Sequence, residues 1–495
     1  MPSLFDKLFR SKPAAAPAEP APAAPPAAPA APASAAAQPA PPATARQFDE
    51  AYAKATQALA SQDFERATRL YTQAIALNPT HAEAYYKRGN ALRMLGQLDE
   101  AVASYDQAIE LNPDYAFAYC NRGTVQRSLG LLDEALSSYD AAIALTPDDA
   151  VAHSNRALVL QDFSRWDEAL ACYDRAIEIN PENADAQYNR SLTALYLGDF
   201  DTGWAGFEWR WEHAGRLNIG TVRHFEQPLW LGDEPLEGKR LLIHSEQGLG
   251  DTLQFSRYAA LCAAQGATVI LEVQRPLLSL LSHLQGPTQL IAKGAALPPL
   301  DYHCPIMSLP LAFKTTLDTI PAAPNYLQAD SSRVAEWKAL LGERKRPRVG
   351  LVWSGNANNT IDQRRSIALA DWIPHLPPEF DYFCLQKDVR DADRAALDAS
   401  DLFSFDDDLM DFKSTAALCD SMDVVISVDT SLLHLSGALG KRTWLLLPFT
   451  PDWRWLRDRD DTPWYPSVKL YRQTAVGDWN GVFARVAADL RREIK

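Results

Sequence analysis

A repeat of 34 residues runs through the N-terminal part of this chain and excludes most folds at once. Ala67, Ala101, Ala135 and Ala169 recur at that spacing. So do Tyr71, Tyr105, Tyr139 and Tyr173, and likewise Pro79, Pro113, Pro147 and Pro181. Gly89 and Gly123 hold a further position, which passes to Ala157 and then Ser191. A fixed period of this length makes each repeat one supersecondary unit. Small residues mark where two antiparallel helices cross closely, and the tyrosines fill the gap to the next unit. Each proline falls where a second helix must stop. One helix pair cannot bury its own apolar face, so the units are expected to stack into a superhelix.

On these residues the segment 46–217 resembles a tetratricopeptide-repeat array with four full repeats and a degenerate fifth, in which Gly203 and Phe207 keep the register. Three tryptophans, Trp204, Trp209 and Trp211, crowd the end of the fifth repeat. A charged surface would suffice for a free end, so this cluster is read as a cap that packs on the next domain. Residues 1–45 are read as a tether. From Pro13 to Ala45 they are Ala and Pro apart from Glu19, Ser34, Gln38 and Thr44, with almost nothing to bury.

After a linker at 218–238 the pattern changes to short apolar runs alternating with helical stretches, which predicts βαβ units and parallel sheets. Strands are expected at Arg240–His244, Thr268–Val273, Arg348–Trp353, Tyr382–Leu385, Val424–Val428 and Thr443–Leu447. Helices are expected at Thr252–Ala264, Ser332–Leu341, Ser431–Leu439 and Trp479–Ile494. Two Rossmann-like lobes follow, at 239–344 and 345–495. The expected fold class is thus an α-solenoid followed by a two-lobed α/β domain.

A net charge of −15 argues against a general nucleic-acid binder, because phosphate surfaces need a Lys/Arg excess. The six cysteines are scattered, without a metal-type spacing, so no zinc site, no disulfide framework and a cytoplasmic setting are expected. No apolar run is long enough for a transmembrane helix.

Three loops stand where strands are expected to lead into helices, the positions at which open parallel sheets hold ligands. In the first, His244–Gln254, Gly248 and Gly250 allow a tight turn and close backbone approach, and Asp251 follows. Asp251 with Gln254 also reads as a near capping box, a purely structural role. In the second, Trp353–Ser366, Arg364 and Arg365 supply two guanidinium forks suited to phosphate oxygens. An ordinary solvated loop reads equally well. In the third, Asp429, Thr430 and Ser431 lie at a helix start, whose free N–H groups attract phosphate, with His434 one turn in. Gly440-Lys441-Arg442-Thr443 is not a phosphate loop, because it enters a strand instead of leaving one.

The motifs Glu246-Gln-Gly-Leu-Gly-Asp251 and Asp429-Thr-Ser-Leu-Leu-His-Leu435, with the loop at Trp353–Ser366, resemble the heptosyltransferase-like glycosyltransferases of family nine, which have the GT-B fold. The resemblance spans about 225–475 and extends to relatives with N-terminal tetratricopeptide repeats. It implies an inverting, metal-independent transfer of a sugar from a nucleotide-sugar donor, with no cofactor. Asp251 would be the catalytic base in the Gly248/Gly250 loop. Asp429, Thr430, Ser431 and His434 would hold the donor, Ser431 standing where the family has Gly. Arg364 or Arg365 would neutralise the leaving diphosphate. The repeats would present the acceptor, a protein, a peptide or a glycan of the lipopolysaccharide type. The alternative is a binding scaffold that does not turn over.

Overall fold

The structure, a computed structural model, describes residues 42–212, 223–356, 362–405, 408–409 and 411–494. Nearly all of the expected tether, the first residues of the expected linker, and 357–361 of the second ligand loop lie outside the described residues. The first helix begins at Pro42, inside the stretch read as tether.

Ten helices of the array lie wholly among the described residues: α1 Pro42–Ala60, α2 Phe64–Leu77, α3 Ala82–Met94, α4 Leu98–Leu111, α5 Ala116–Ser128, α6 Leu132–Leu145, α7 Ala150–Asp162, α8 Trp166–Ile179, α9 Ala184–Leu197 and α10 Phe200–Phe207. They form five antiparallel pairs. In the first four pairs the second helix stops two residues before its repeat proline, which cannot continue the helix. The repeat tyrosines do more within a pair than expected. The Tyr105 ring lies so close to Gly89 that a Cβ there would stand 2.6 Å from it, and its hydroxyl donates to Asn90 Oδ1 at 2.8 Å. Gly89→Val is therefore expected to cost about 1–3 kcal/mol by overpacking, read as a lower urea midpoint of the helical signal.

The last pair is built into the second domain. Trp204 of α10 is buried, meets Trp453 edge-on at 5.3 Å and donates its indole N–H to the Thr315 carbonyl at 3.0 Å. Phe200 stacks on Trp464 at 6.3 Å. Just beyond, Arg210 is fully buried and joins Glu208 at 2.6 Å to Glu246 at 2.7 Å, with Ser308 at 2.7 Å.

Among the described residues the second domain has two parallel sheets. The first contains β1 (Arg240–His244), β2 (Thr268–Val273), β3 (Pro287–Ala292) and β4 (Tyr302–Pro305) in the order β3-β2-β1-β4. The second contains β5 (Arg348–Val352), β6 (Asp381–Cys384), β7 (Val424–Val428), β8 (Thr443–Leu447) and β9 (Val468–Arg472) in the order β6-β5-β7-β8-β9. The strands β3, β4 and β9 were not legible. β3 is half exposed and polar, and β4 is four residues long in a Pro-rich stretch.

Two boundaries shift. Residues 225–236, expected as linker, belong to the first lobe, where Trp230 N–H bonds the His303 carbonyl at 2.8 Å beside β4. The helix Ser331–Leu341, expected in the first lobe, lies against Phe412–Asp420 of the second, with Trp337 donating to the Ser414 carbonyl at 3.0 Å. The closing helix Trp479–Glu493 buries Val482, Phe483, Val486 and Leu490 on the second sheet's core. Among the described residues no helix is long and apolar enough to cross a membrane.

Candidate ligand site between the lobes

In each sheet the strand order reverses beside its first strand, between β1 and β4 and between β5 and β7. Loops leaving neighbouring strands there diverge and open a crevice at their carboxyl ends. The three loops singled out in the sequence leave β1, β5 and β7. The fold therefore brings two lobes face to face through these loops.

The β1 loop ends in a short helix, α11, Leu249–Phe255. Gly248 takes the N-cap position that the capping reading gave to Asp251, and Asp251, the third helical residue, caps the helix from within. There its Oδ2 accepts from the Gly248 N–H at 2.8 Å. Its Oδ1 accepts from Arg454 of the other lobe at 2.5 Å. Gln254, expected to complete the cap, instead accepts from Arg454 Nε at 2.7 Å. Burial pushes the Asp251 carboxyl above the ordinary aspartate range, and the Arg454 guanidinium opposes that shift.

The β7 loop leads into α12, Ser431–Ala438. Thr430 takes the N-cap position with extended backbone and makes no side-chain cap bond; the Leu433 N–H bonds the Thr430 carbonyl at 3.1 Å, which leaves the Ser431 and Leu432 N–H groups to face an anion. His434 is buried beneath them, 2.9 Å from the Tyr465 hydroxyl and stacked on Trp455 at 5.8 Å. Burial, with Arg454 and Arg257 nearby, holds its pKa well below the ordinary value, so it is neutral. Asp429 accepts from Trp455 Nε1 at 2.8 Å, and burial together with Asp452 pushes its carboxyl up to about 6.

Gly250 is one point at which the lobes touch closely. A Cβ there would stand 2.7 Å from the His434 ring and 3.5 Å from Ser431 Cα. Glycine at this position is required by close approach, as the sequence reading expected of the loop.

After β5, Arg365 Nε donates to Asp362 at 3.1 Å, and Arg390 bonds the same carboxylate. Arg364 turns the other way and pairs with Asp162 of the repeat array at 3.2 Å. Arg364, Arg365 and Asp429 line one cavity of about 270 Å³, whose opposite wall is the array. Thr430, Ser431 and His434 follow Asp429 in the chain but do not themselves line that cavity. Asp251 connects to it through Arg454, which also holds the cavity residue Asp452 at 2.9 Å.

Arg454, Asp452, Trp455 and Tyr465 were not foreseen. The signal was the segment Trp453-Arg-Trp455, an arginine between two tryptophans, which is a poor surface sequence and a good buried cation. Glu246, quoted only as part of a motif, proves to be the buried partner of Arg210.

Comparison with known proteins bears first on the array. Residues 89–130 and 125–162 match a family model described as TPR repeat. Residues 70–103, 172–205 and 150–183 match models described as tetratricopeptide repeat. Residues 70–205 are tetratricopeptide repeats. Protein FlbA of Caulobacter vibrioides is 30% identical over 327 residues, covering 60% of this chain and 53% of that protein. The chain thus spans about half the length of that relative, and the likeness is longer than the array alone. Among solved structures, YrrB, titled a TPR protein with an unusual peptide-binding site, is 23% identical, covering 35% of this chain and 93% of its own, with a TM-score of 0.30. MamA of Desulfovibrio magneticus is 20% identical, covering 34% and 92%, also with a TM-score of 0.30.

Proposed function

We propose that the two-lobed domain is a GT-B glycosyltransferase that moves a sugar from a nucleotide-sugar donor to an acceptor presented by the tetratricopeptide array. The observation that carries this reading is the meeting of Asp251, on one lobe, with the uncapped helix start at Thr430–Ser431 on the other, through Gly250 and His434. A diphosphate would lie on that helix start, with Arg364 and Arg365 opposing its charge. Asp251 would accept the proton of the acceptor hydroxyl as that oxygen attacks the anomeric carbon. The bond from this carbon to the phosphate oxygen breaks, the nucleoside diphosphate leaves with the electron pair, and the configuration inverts. Guanidinium groups and backbone N–H groups would supply the charge neutralisation. The acceptor is proposed to be a polypeptide, because arrays of this kind offer an extended concave surface and residues of α5, α7, α8 and α9 line the cavity.

The test is release of nucleoside diphosphate from a panel of nucleotide sugars, measured with a polypeptide, with a lipopolysaccharide-type glycan and with neither. Release that depends on the polypeptide supports the proposal, and release with the glycan alone reassigns the acceptor. A second reading, a binding scaffold without turnover, draws on Asp251 having both oxygens engaged and on Ser431 in place of Gly. It predicts nucleotide binding with no release under any of these conditions.

Asp429, which the resemblance makes a donor-holding residue, enters this reading instead as a carboxylate beside the phosphate, and it gives the reading a pH dependence. Its carboxyl is neutral below about 6 and anionic above, and an anion beside the phosphate opposes binding. Nucleotide affinity is expected to be lower in Asp429-containing protein than in Asp429→Asn at pH 7.5, and to converge with it at pH 5. Calorimetric titration of both proteins checks this, since the titration of the ligand's own phosphate is common to the two.

A further inference from the structure

The cavity lined by Arg364, Arg365 and Asp429 has a wall that belongs to the repeat array, and that wall carries a cation. Arg127, on the last turn of α5, and Asp162, the last residue of α7, both line the cavity with Arg364, Arg365 and Asp429. The Asp162 carboxylate is shared between two guanidinium groups from different domains. Its Oδ2 accepts from Arg127 Nε at 2.6 Å, and its Oδ1 accepts from Arg364 at 3.2 Å. Its side chain is only 11% exposed. An oxyanion held between two arginine forks at the mouth of a site is what a phosphate group would be in the same place.

We infer that Arg127 of the repeat array is a ligand-binding residue of the diphosphate site, and that Asp162 is its internal counter-ion, occupying Arg127 and Arg364 until a phosphate replaces it. This rests on the nucleotide-sugar reading above and adds the array to the small-ligand site. The neighbouring repeats do not share the arrangement. At the position of Arg127 they carry Arg93, Gln161 and Leu195, and Arg93 lies outside the cavity. A phosphate that takes Arg364 from Asp162 also breaks a bridge between the array and the second lobe. Ligand binding and the placing of the array on that lobe are then coupled, and the coupling is reciprocal.

The test is calorimetric titration of the full chain with UDP, GDP, ADP and inorganic pyrophosphate, in wild type, Arg127→Gln, Asp162→Asn and Arg122→Gln. Arg122, on the same helix as Arg127, pairs with Asp106 of α4 away from the cavity lining and serves as the control. For whichever probes bind, Arg127→Gln is expected to weaken affinity about tenfold or more, the effect of losing a charge-assisted bond. Asp162→Asn is expected to tighten it, by up to about fivefold, because it removes a partly exposed competing ion pair. Arg122→Gln should bind as wild type does. Equal binding by wild type and Arg127→Gln overturns the inference while leaving the nucleotide reading in place. If Arg127→Gln does not fold, Asp162→Asn decides alone: tighter binding supports the inference, and unchanged or weaker binding overturns it. Failure of all four probes to bind wild type contradicts the nucleotide reading and removes the inference with it.

Discussion

Asp251→Asn is expected to lower sugar transfer by about 10²–10⁴-fold, the usual effect of removing a positioned general base. The side chain is fixed from both sides, by the Gly248 N–H at 2.8 Å and by Arg454 at 2.5 Å, so an isosteric replacement keeps its place. An amide can accept with only one of its two termini, and the other faces a donor. Some local stability is lost, but the fold and nucleotide binding should persist. That separates the loss of a base from the loss of a site. The pH profile gives a second check. Burial lifts the Asp251 carboxyl above its ordinary range, and a base must be ionised to act. Activity of wild type should therefore rise with pH through a limb displaced upward from an ordinary aspartate. Arg454→Gln should displace that limb further upward, because it removes the cation that favours the carboxylate. Transfer by Asp251→Asn equal to that of wild type contradicts the assignment of the base.

Arg210→Ala is expected to be the most destabilising single change at the domain junction, by about 3–5 kcal/mol. The guanidinium is fully buried and bonds Glu208, Glu246 and Ser308. Coulombic attraction to the two carboxylates keeps it cationic against the burial that would disfavour charge. Its removal leaves two buried carboxylates facing one another. Because Glu208 follows the last repeat helix and Glu246 opens the β1 loop, the damage reaches the ligand site as well as the junction. Chemical unfolding of the full chain, followed by tryptophan emission, measures the effect. Trp204, Trp453 and Trp464 report on this interface directly. A loss of less than about 1 kcal/mol would mean that the buried triad does not hold the array to the lobes.

The repeat array was the most legible part of the chain, because period, helix ends and crossing points all follow from local sequence. The strands β1, β2, β7 and β8 were legible for a similar reason: each is a short, almost wholly buried apolar run. Pro287–Ala292 carries no such signal, since it pairs at an edge with half of its side chains exposed. For the site, the sequence located the loops but not their relations. Gly250 against His434, and Arg454 on Asp251, join residues roughly 180 to 200 positions apart. No local pattern encodes such pairings, which come from the way two sheets face one another. The expected linker and the helix Ser331–Leu341 were misplaced for the same reason. Their lobe membership is decided by tertiary bonds from Trp230 and Trp337. The tryptophan cluster at the end of the array was legible as a cap from composition, and its partners Trp453 and Trp464 were not.

The most direct measurement of the central claim is a thermal-shift screen of the full chain against ADP, GDP, UDP and CMP, with and without magnesium, in wild type and Arg365→Ala. A ligand at about 100 times its dissociation constant stabilises the folded state by about 2.7 kcal/mol, well within reach of the method. The account predicts that one nucleotide raises the wild-type melting temperature and that Arg365→Ala, folded but lacking one of the guanidinium groups lining the cavity, shows no such rise. No shift with any nucleotide, or a shift of equal size in Arg365→Ala, would contradict it.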